Sequence, residues 1–263
     1  MAQSSIRRMR SGGRAANPVP HRSARIAVVT VDAAAIGANV ERVRECVAPA
    51  AERAGRRADD ITIITVSKTF PPGAIRAAYD AGLRHFGENR VQEFEAKRAK
   101  LQDLDITWHM IGHLQSNKSR RAAQIFDRVD SVDSLWLAKK LDSAADAEKK
   151  RLPVLIEVHL GGEETKSGVE EGGLAALAEG IAGLVHLELQ GLMTIPPYFD
   201  DPECVRPYFR KLRELRDALS QSLARALPVL SMGMSHDFEI AVEEGATELR
   251  IGTAIFGERL TQR

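Results

Sequence analysis

From Val31 onward, short apolar runs rich in β-branched residues alternate with longer segments in which apolar residues recur at helical spacing. The first helical segment is predicted over 32–56, where Ile36, Val40, Val43 and Val47 share one face. The apolar runs predict eight strands, each followed by a helix: 61–68, 83–89, 106–114, 126–133, 152–160, 187–195, 227–235 and the start of 247–257.

No two of these runs are joined by a hairpin turn, so the pattern predicts an all-parallel sheet. Eight strand–helix units in this length are typical of a closed (β/α)8 barrel. A doubly wound open sheet is the alternative, but the G-x-G-x-x-G turn usual in that fold does not follow the first strand. We therefore predict a single α/β TIM barrel over 32–263, preceded by one extra helix.

Composition agrees with one globular domain, since 44% of the 263 residues are hydrophobic and 28% are charged. No apolar stretch is long enough for a membrane span. The two cysteines, Cys46 and Cys204, cannot form a disulfide framework, which indicates a reducing compartment. These features predict a soluble, cytoplasmic protein that does not bind membranes.

Charge is distributed unevenly along the chain. Residues 1–31 contain six arginines and no acidic residue, which predicts a disordered basic arm or, alternatively, a mitochondrial transit peptide. Without those six, 31 of the 37 lysines and arginines remain against 36 acidic residues. A mildly acidic body does not favour nucleic-acid binding.

In a parallel barrel, the functional site lies at the carboxyl ends of the strands. Strand alternation places Ile64, Val66 and Lys68 on one face, so Lys68 is expected at the barrel mouth. Desolvation there would make its amine a nucleophile toward carbonyl groups. The alternative is a lysine that extends to the rim.

The loops after strands seven and eight contain the residues that favour phosphate binding in this fold. Gly233 and Gly252 allow close backbone approach, whereas Ser235 and Thr253 supply hydroxyl groups and helix-terminal amides. Ordinary helix capping without a ligand is the alternative. Arg250 is expected to point inward, either to pair with Glu248 or to face a ligand acceptor. A reactive amine, an anion site and a ring donor together point to pyridoxal 5′-phosphate (PLP) bound as a Schiff base.

Several motifs resemble the YggS/PROSC family of pyridoxal phosphate homeostasis proteins. They run in order from about residue 33 to residue 259: VSKTFP (66–71), FGENRVQE (86–93), WHMIGHLQSNK (108–118), KSG (166–168), GLMTI (191–195), LSMGMSHDFEIAV (230–242) and ELRIGTAIFGER (248–259). The resemblance implies a barrel like the N-terminal domain of alanine racemase, with PLP fold-type III chemistry.

The resemblance also implies roles for individual residues. Lys68 would form the Schiff base, and Arg250 would face the pyridine nitrogen. The phosphate would be held by Ser235, Gly252 and Thr253, and Asn89 would lie near the cofactor ring. Glu157 and His159 depart from the pattern, because the family more often has Gln and Asn at these places.

Two functions remain open from the sequence. The first is a carrier that buffers or delivers PLP without robust catalysis, acts as a monomer and has PLP-dependent apoenzymes as partners. The second is an amino-acid racemase or lyase that uses Lys68 with His109, His113 or His236 as bases. Alanine racemase-like enzymes take a second acid/base from an added β domain, and we expect none here because Arg263 follows the eighth unit closely. The carrier is favoured.

Other polar residues have simpler interpretations. His109 and His113 do not share a helix face, so no metal site is predicted. Glu88 and Asp133 are expected to tie loops together. Lys118 is either a second anion-binding lysine or a solvated rim residue.

Overall fold

The structure is a computed structural model that describes Met1 and residues 32–161 and 167–258. The predicted basic arm, apart from Met1, lies outside the described residues. Lys166 of the KSG motif lies outside them as well.

Eight parallel strands close into a barrel, as the sequence predicts. Each strand pairs with its neighbours in the order β1-β2-β3-β4-β5-β7-β8-β9, and β9 returns to β1. The two-residue β6 was not predicted; it pairs with the end of β5 outside the barrel wall. The strands are β1 Thr62–Val66, β2 His85–Glu88, β3 Thr107–Met110, β4 Arg128–Val132, β5 Leu152–His159, β6 Val169–Glu170, β7 Leu187–Met193, β8 Val229–Met234 and β9 Glu248–Ile251.

Helices follow the barrel strands, and the extra helix α1 precedes β1. Asp32 caps α1 by accepting a hydrogen bond from the Ala35 amide, as its position before the apolar repeat suggests. The helices are α1 Ala33–Arg53, α2 Pro72–Asp80, α3 Val91–Arg98, α4 Ser119–Ile125, α5 Leu135–Ala147, α6 Glu171–Ala182, α7 Arg206–Ser222, α8 Phe238–Glu243 and α9 Thr253–Phe256. Within the described ranges, no helix is long and apolar enough to cross a membrane.

The barrel separates two layers of buried side chains. One continuous hydrophobic cluster, which includes Phe86, Phe94 and Phe126, fills the space between the strands and the helices. A second, smaller apolar set is buried but stands apart from that cluster, and strand alternation assigns it to the barrel interior. Its members are Ile64, Val66, Ile111, Leu155 and Met193.

Charged residues share the barrel interior with this small apolar set. Arg128 donates to Asp130 Oδ1 at 2.6 Å and to Glu248 Oε1 at 2.7 Å, and all three side chains are buried. His109 Nδ1 lies 3.2 Å from Asp130 Oδ2, and His109 Nε2 lies 3.0 Å from His85 Nδ1. Burial, followed by the positive neighbours, lowers the pKa of His85 to about 4. This network connects β2, β3, β4 and β9 across the barrel.

The Arg128 network predicts a large stability effect from a single substitution. Arg128→Met should lower the free energy of unfolding by about 3–5 kcal/mol, because it leaves two buried carboxylates without their cation. Urea unfolding measures this loss. The matched control is Arg121→Met, which removes the exposed pair with Glu95 and should cost less than about 1 kcal/mol. Equal losses in the two variants would contradict the structural role assigned to the network.

Candidate functional site

A cavity of about 240 Å³ lies at the carboxyl ends of the barrel strands. Its volume lies just below the usual range for small-molecule pockets, which suits a compact ligand. Val66, Ile111 and Met234 supply apolar wall. All six residues nominated from the sequence also line it: Lys68, Asn89, Ser235, Arg250, Gly252 and Thr253.

Larger cavities lie elsewhere on the molecule, among them one of about 530 Å³ lined by Arg44 and His85. Two others contain basic side chains. One, of about 520 Å³, is lined by His159 and Lys211, and the other, of about 470 Å³, by Arg90 and Lys118. Neither is lined by Lys68 or Arg250. The smaller cavity is therefore the better candidate site, because it combines an amine, a guanidinium and hydroxyl groups.

Lys68 follows β1 in a segment that is tied to the barrel wall from both sides. Ser67 Oγ donates to Glu88 Oε1 at 2.7 Å, and Lys97 Nζ donates to both Glu88 Oε1 and the Ser67 carbonyl at 2.9 Å. Burial raises the pKa of Glu88, against the opposing attraction of Lys97 and the Ser67 hydroxyl. The prediction that Glu88 ties a loop is therefore consistent with its contacts, and the loop it ties is the one that carries Lys68.

On the other side of Lys68, Thr69 adopts a left-handed backbone conformation with φ at 70°. This conformation is costly for a β-branched residue and persists only where the surroundings impose it. Here the Thr69 amide donates to Glu93 Oε1, which also accepts from Lys97 Nζ at 2.7 Å. Burial opposes the charge of Glu93, but the hydrogen bonds from Lys97 and Thr69 lower its pKa overall. The sequence analysis missed Glu93 and Lys97.

Arg250 lies at the base of the cavity and is 4% exposed. Its terminal nitrogens donate to Ser231 Oγ at 2.9 Å and to the Thr194 carbonyl at 2.7 Å. Glu248, the alternative partner considered from the sequence, instead pairs with Arg128. Burial lowers the pKa of Arg250, but an arginine remains a cation at any physiological pH. The site therefore contains a fixed, oriented positive charge.

The loops after β8 and β9 converge on the Ser235 hydroxyl. Ser235 Oγ accepts from the Gly252 amide at 3.3 Å and from the Ala254 amide at 3.1 Å. Gly233, just before this loop, has φ at 91°, and a Cβ atom there would lie 2.5 Å from the Ala241 side chain. Only glycine fits, which explains how the chain turns here to bring Ser235 against β9.

Asn89 reaches the cavity because the neighbouring strand end has no side chain. A Cβ atom at Gly112 would lie 2.5 Å from the Asn89 carbonyl oxygen. Asn89 Oδ1 is buried and has no hydrogen-bond partner among the described residues. A buried amide oxygen of this kind requires a partner, which a ligand in the cavity could supply.

The histidines considered as catalytic bases lie in different environments. His109 is buried in the interior network and does not line the cavity. His113 is exposed and pairs with Asp133 at 3.1 Å. His236 does line the cavity; its ring stacks on Tyr198, and its Nε2 lies 3.1 Å from the Phe199 carbonyl. No cluster of metal-binding side chains occurs within the described residues.

Comparison with known proteins gives consistent results. The family model described as the alanine racemase N-terminal domain matches residues 31–260. The pyridoxal phosphate homeostasis protein of Aquifex aeolicus is 52% identical over 220 residues, covering 84% of this chain and 96% of that protein. The protein of the same name from Escherichia coli strain K12 is 44% identical over 229 residues, covering 85% and 97%.

A solved structure adds a bound ligand to the comparison. PipY of Synechococcus elongatus PCC7942, determined with PLP bound, is 39% identical and superposes with a TM-score of 0.76. The match covers 84% of this chain and all of that one.

The ties around Lys68 predict a local change in backbone protection. Glu93→Ala should speed hydrogen exchange of the Thr69 amide by about tenfold, because a hydrogen bond to a charged acceptor contributes ~1.5 kcal/mol. Hydrogen–deuterium exchange resolved to residues 67–70 measures this. Glu95→Ala on the same helix is the matched control, since Glu95 contacts Arg121 and should leave those amides unchanged. Unaltered exchange of the Thr69 amide in Glu93→Ala would contradict the hydrogen bond from this amide to Glu93.

Proposed function

This chain belongs to the pyridoxal phosphate homeostasis protein family, on the alanine racemase N-terminal domain fold, and from that premise we propose that it binds PLP reversibly in the cavity around Lys68. It serves PLP homeostasis, buffering the cofactor and delivering it to other proteins. Robust catalysis is not part of its role.

One observation carries the proposal. An amine, two loops with hydroxyl groups and backbone amides, and a guanidinium line the same small cavity, and these are the kinds of group that bind an aldehyde, a phosphate and a pyridine nitrogen. The orphan oxygen of Asn89 adds a polar contact beside them. The amine, the guanidinium, the hydroxyl groups and this acceptor together suit the functional groups of the cofactor.

Each residue then has a defined task. Lys68 would hold the aldehyde carbon of PLP through its amine, a condensation that releases one water molecule. Ser235, Thr253 and the amides near Gly252 hold the phosphate, while Asn89 contacts the ring side. When bound, PLP supplies an electrophilic carbon and an electron-withdrawing ring.

The position of Arg250 favours a carrier over most kinds of PLP-dependent enzyme. A permanent cation that donates to the pyridine nitrogen keeps this nitrogen unprotonated, so the ring withdraws electrons less strongly. Because Ser231 and the Thr194 carbonyl hold the guanidinium in place, this donor cannot turn away. The racemase or lyase alternative needs a base on the opposite face, and His236 is the histidine that lines the cavity.

PLP-dependent apoenzymes are the proposed recipients, and the protein acts as a monomer. Cys46 and Cys204 are exposed and unpaired, which favours the reducing cytoplasm as the compartment.

The central test is the visible absorption of the protein with PLP, beside Lys68→Ala. The wild type should develop a Schiff-base band, and the variant should lack it because it has no amine in the cavity. Lys118→Ala is the matched control, since Lys118 lines a different cavity and its loss should leave the band intact. A wild type that develops no Schiff-base band beyond the absorption of free PLP would overturn the proposal, and rapid turnover of an amino acid by the loaded protein would favour the enzyme.

A further inference from the structure

Glu157 is a buried carboxylic acid that none of the tasks above uses. It lies on β5, two residues after Leu155, so strand alternation directs both side chains into the barrel interior. Glu157 is only 4% exposed, and its Oε2 has no hydrogen-bond partner among the described residues. A buried carboxyl without a partner is costly when ionised.

Glu157 differs from the other buried carboxyl groups of the barrel interior in how it is paired. Arg128 and Arg250 contribute two positive charges, and Asp130 and Glu248 contribute two negative charges. Asp130 and Glu248 both pair directly with Arg128, so Glu157 is a buried carboxyl on a barrel strand without a hydrogen-bonded cation among the described residues.

Glu157 pairs in register with Met193, and the carbonyl of the next residue, Thr194, accepts a hydrogen bond from Arg250. Glu157 therefore lies near this guanidinium and acts on it by charge, without a hydrogen bond between them.

The titratable groups around Glu157 come from several elements. Arg250 on β9 favours its ionised form, and Asp133, after β4, disfavours it. Asp130, Asp237 and Glu248 act on the same guanidinium and share its charge. Burial is the largest influence and raises the pKa of Glu157 to about 7. The carboxyl therefore changes charge within the physiological range.

We propose that Glu157 is a positioning residue that acts through Arg250 as a proton-dependent counter-ion and thereby sets how tightly the cofactor is held. Protonated Glu157 leaves the full guanidinium charge available to the anionic ligand. Ionised Glu157 neutralises part of that charge. The affinity for the cofactor therefore falls as pH rises through neutrality, so the ligand is released more readily at alkaline pH.

This inference rests on the proposed function, because it concerns the same cavity and the same anionic ligand. It is particular to chains with a carboxyl at this position, since a glutamine there is neutral at every pH. Glu157→Gln keeps the size and shape of the side chain while removing the proton, so it is the appropriate variant.

The test is the dissociation constant of PLP for wild type, Glu157→Gln and Glu170→Gln between pH 6 and pH 8.5. Glu170 is the matched control, because it is exposed and lies outside the Lys68 cavity. The ionisations of PLP and of the Schiff base are common to all three proteins and cancel in the ratios. The dissociation constant of the wild type divided by that of Glu157→Gln should be near one at pH 6 and rise to about ten at pH 8.5. A tenfold ratio corresponds to a shift of one unit in the pKa of Glu157 when PLP binds. Glu170→Gln should follow the wild type throughout.

A second measurement reports on the carboxyl itself. In the cofactor-free protein, carbon-13 NMR of glutamate carboxyl groups should contain one resonance that titrates near pH 7 and is absent from Glu157→Gln. A Glu157 resonance that titrates at the usual acidic pH would overturn the inference, as would parallel pH profiles of PLP binding in all three proteins. Failure of all three to bind PLP would instead overturn the proposed function, and this inference with it.

Discussion

The balance of charge inside the closed barrel is the constraint on which the rest of this structure depends. An eight-stranded barrel has an interior only wide enough for side chains, and water cannot screen charges placed there. This barrel nevertheless contains Arg128, Asp130, Glu248 and Arg250. Arg128 is paired with carboxylates and connects strands of the barrel. Arg250 is held by the Ser231 hydroxyl and the Thr194 carbonyl, so its charge remains available to the cavity.

The same division between structure and binding recurs around Lys68. In the network of Glu88, Glu93 and Lys97, the lysine pairs with both carboxylates. The same network bonds to the backbone on either side of Lys68, at the Ser67 carbonyl and the Thr69 amide. It touches no part of the cavity, yet it fixes the segment that presents the amine, including the left-handed Thr69. Binding groups that are held in place before the ligand arrives lose little entropy when it binds.

The sequence predicted the barrel because periodicity records which faces are buried, and all eight units appear in the structure. It also brought six residues to one cavity, since the carboxyl ends of parallel strands meet at one face. Pairings between residues far apart in the chain could not be predicted from the sequence pattern. The contact between Arg128 and Glu248, which are 120 positions apart, is one example. A signal existed in Arg128 and Asp130, two charged residues on the same face of a buried strand, and in Glu157, which breaks an otherwise apolar strand. The two-residue β6 was too short to give a periodic pattern.

Lys68 is the residue that we propose holds the cofactor. Borohydride reduction of the PLP-loaded protein, followed by tryptic digestion and mass mapping, locates the attachment point directly. We expect a single pyridoxyl-phosphate adduct on the peptide that contains Lys68, and none on the peptides with Lys97 or Lys118. An adduct confined to another lysine, or no adduct from a protein that carries the cofactor, would contradict this assignment.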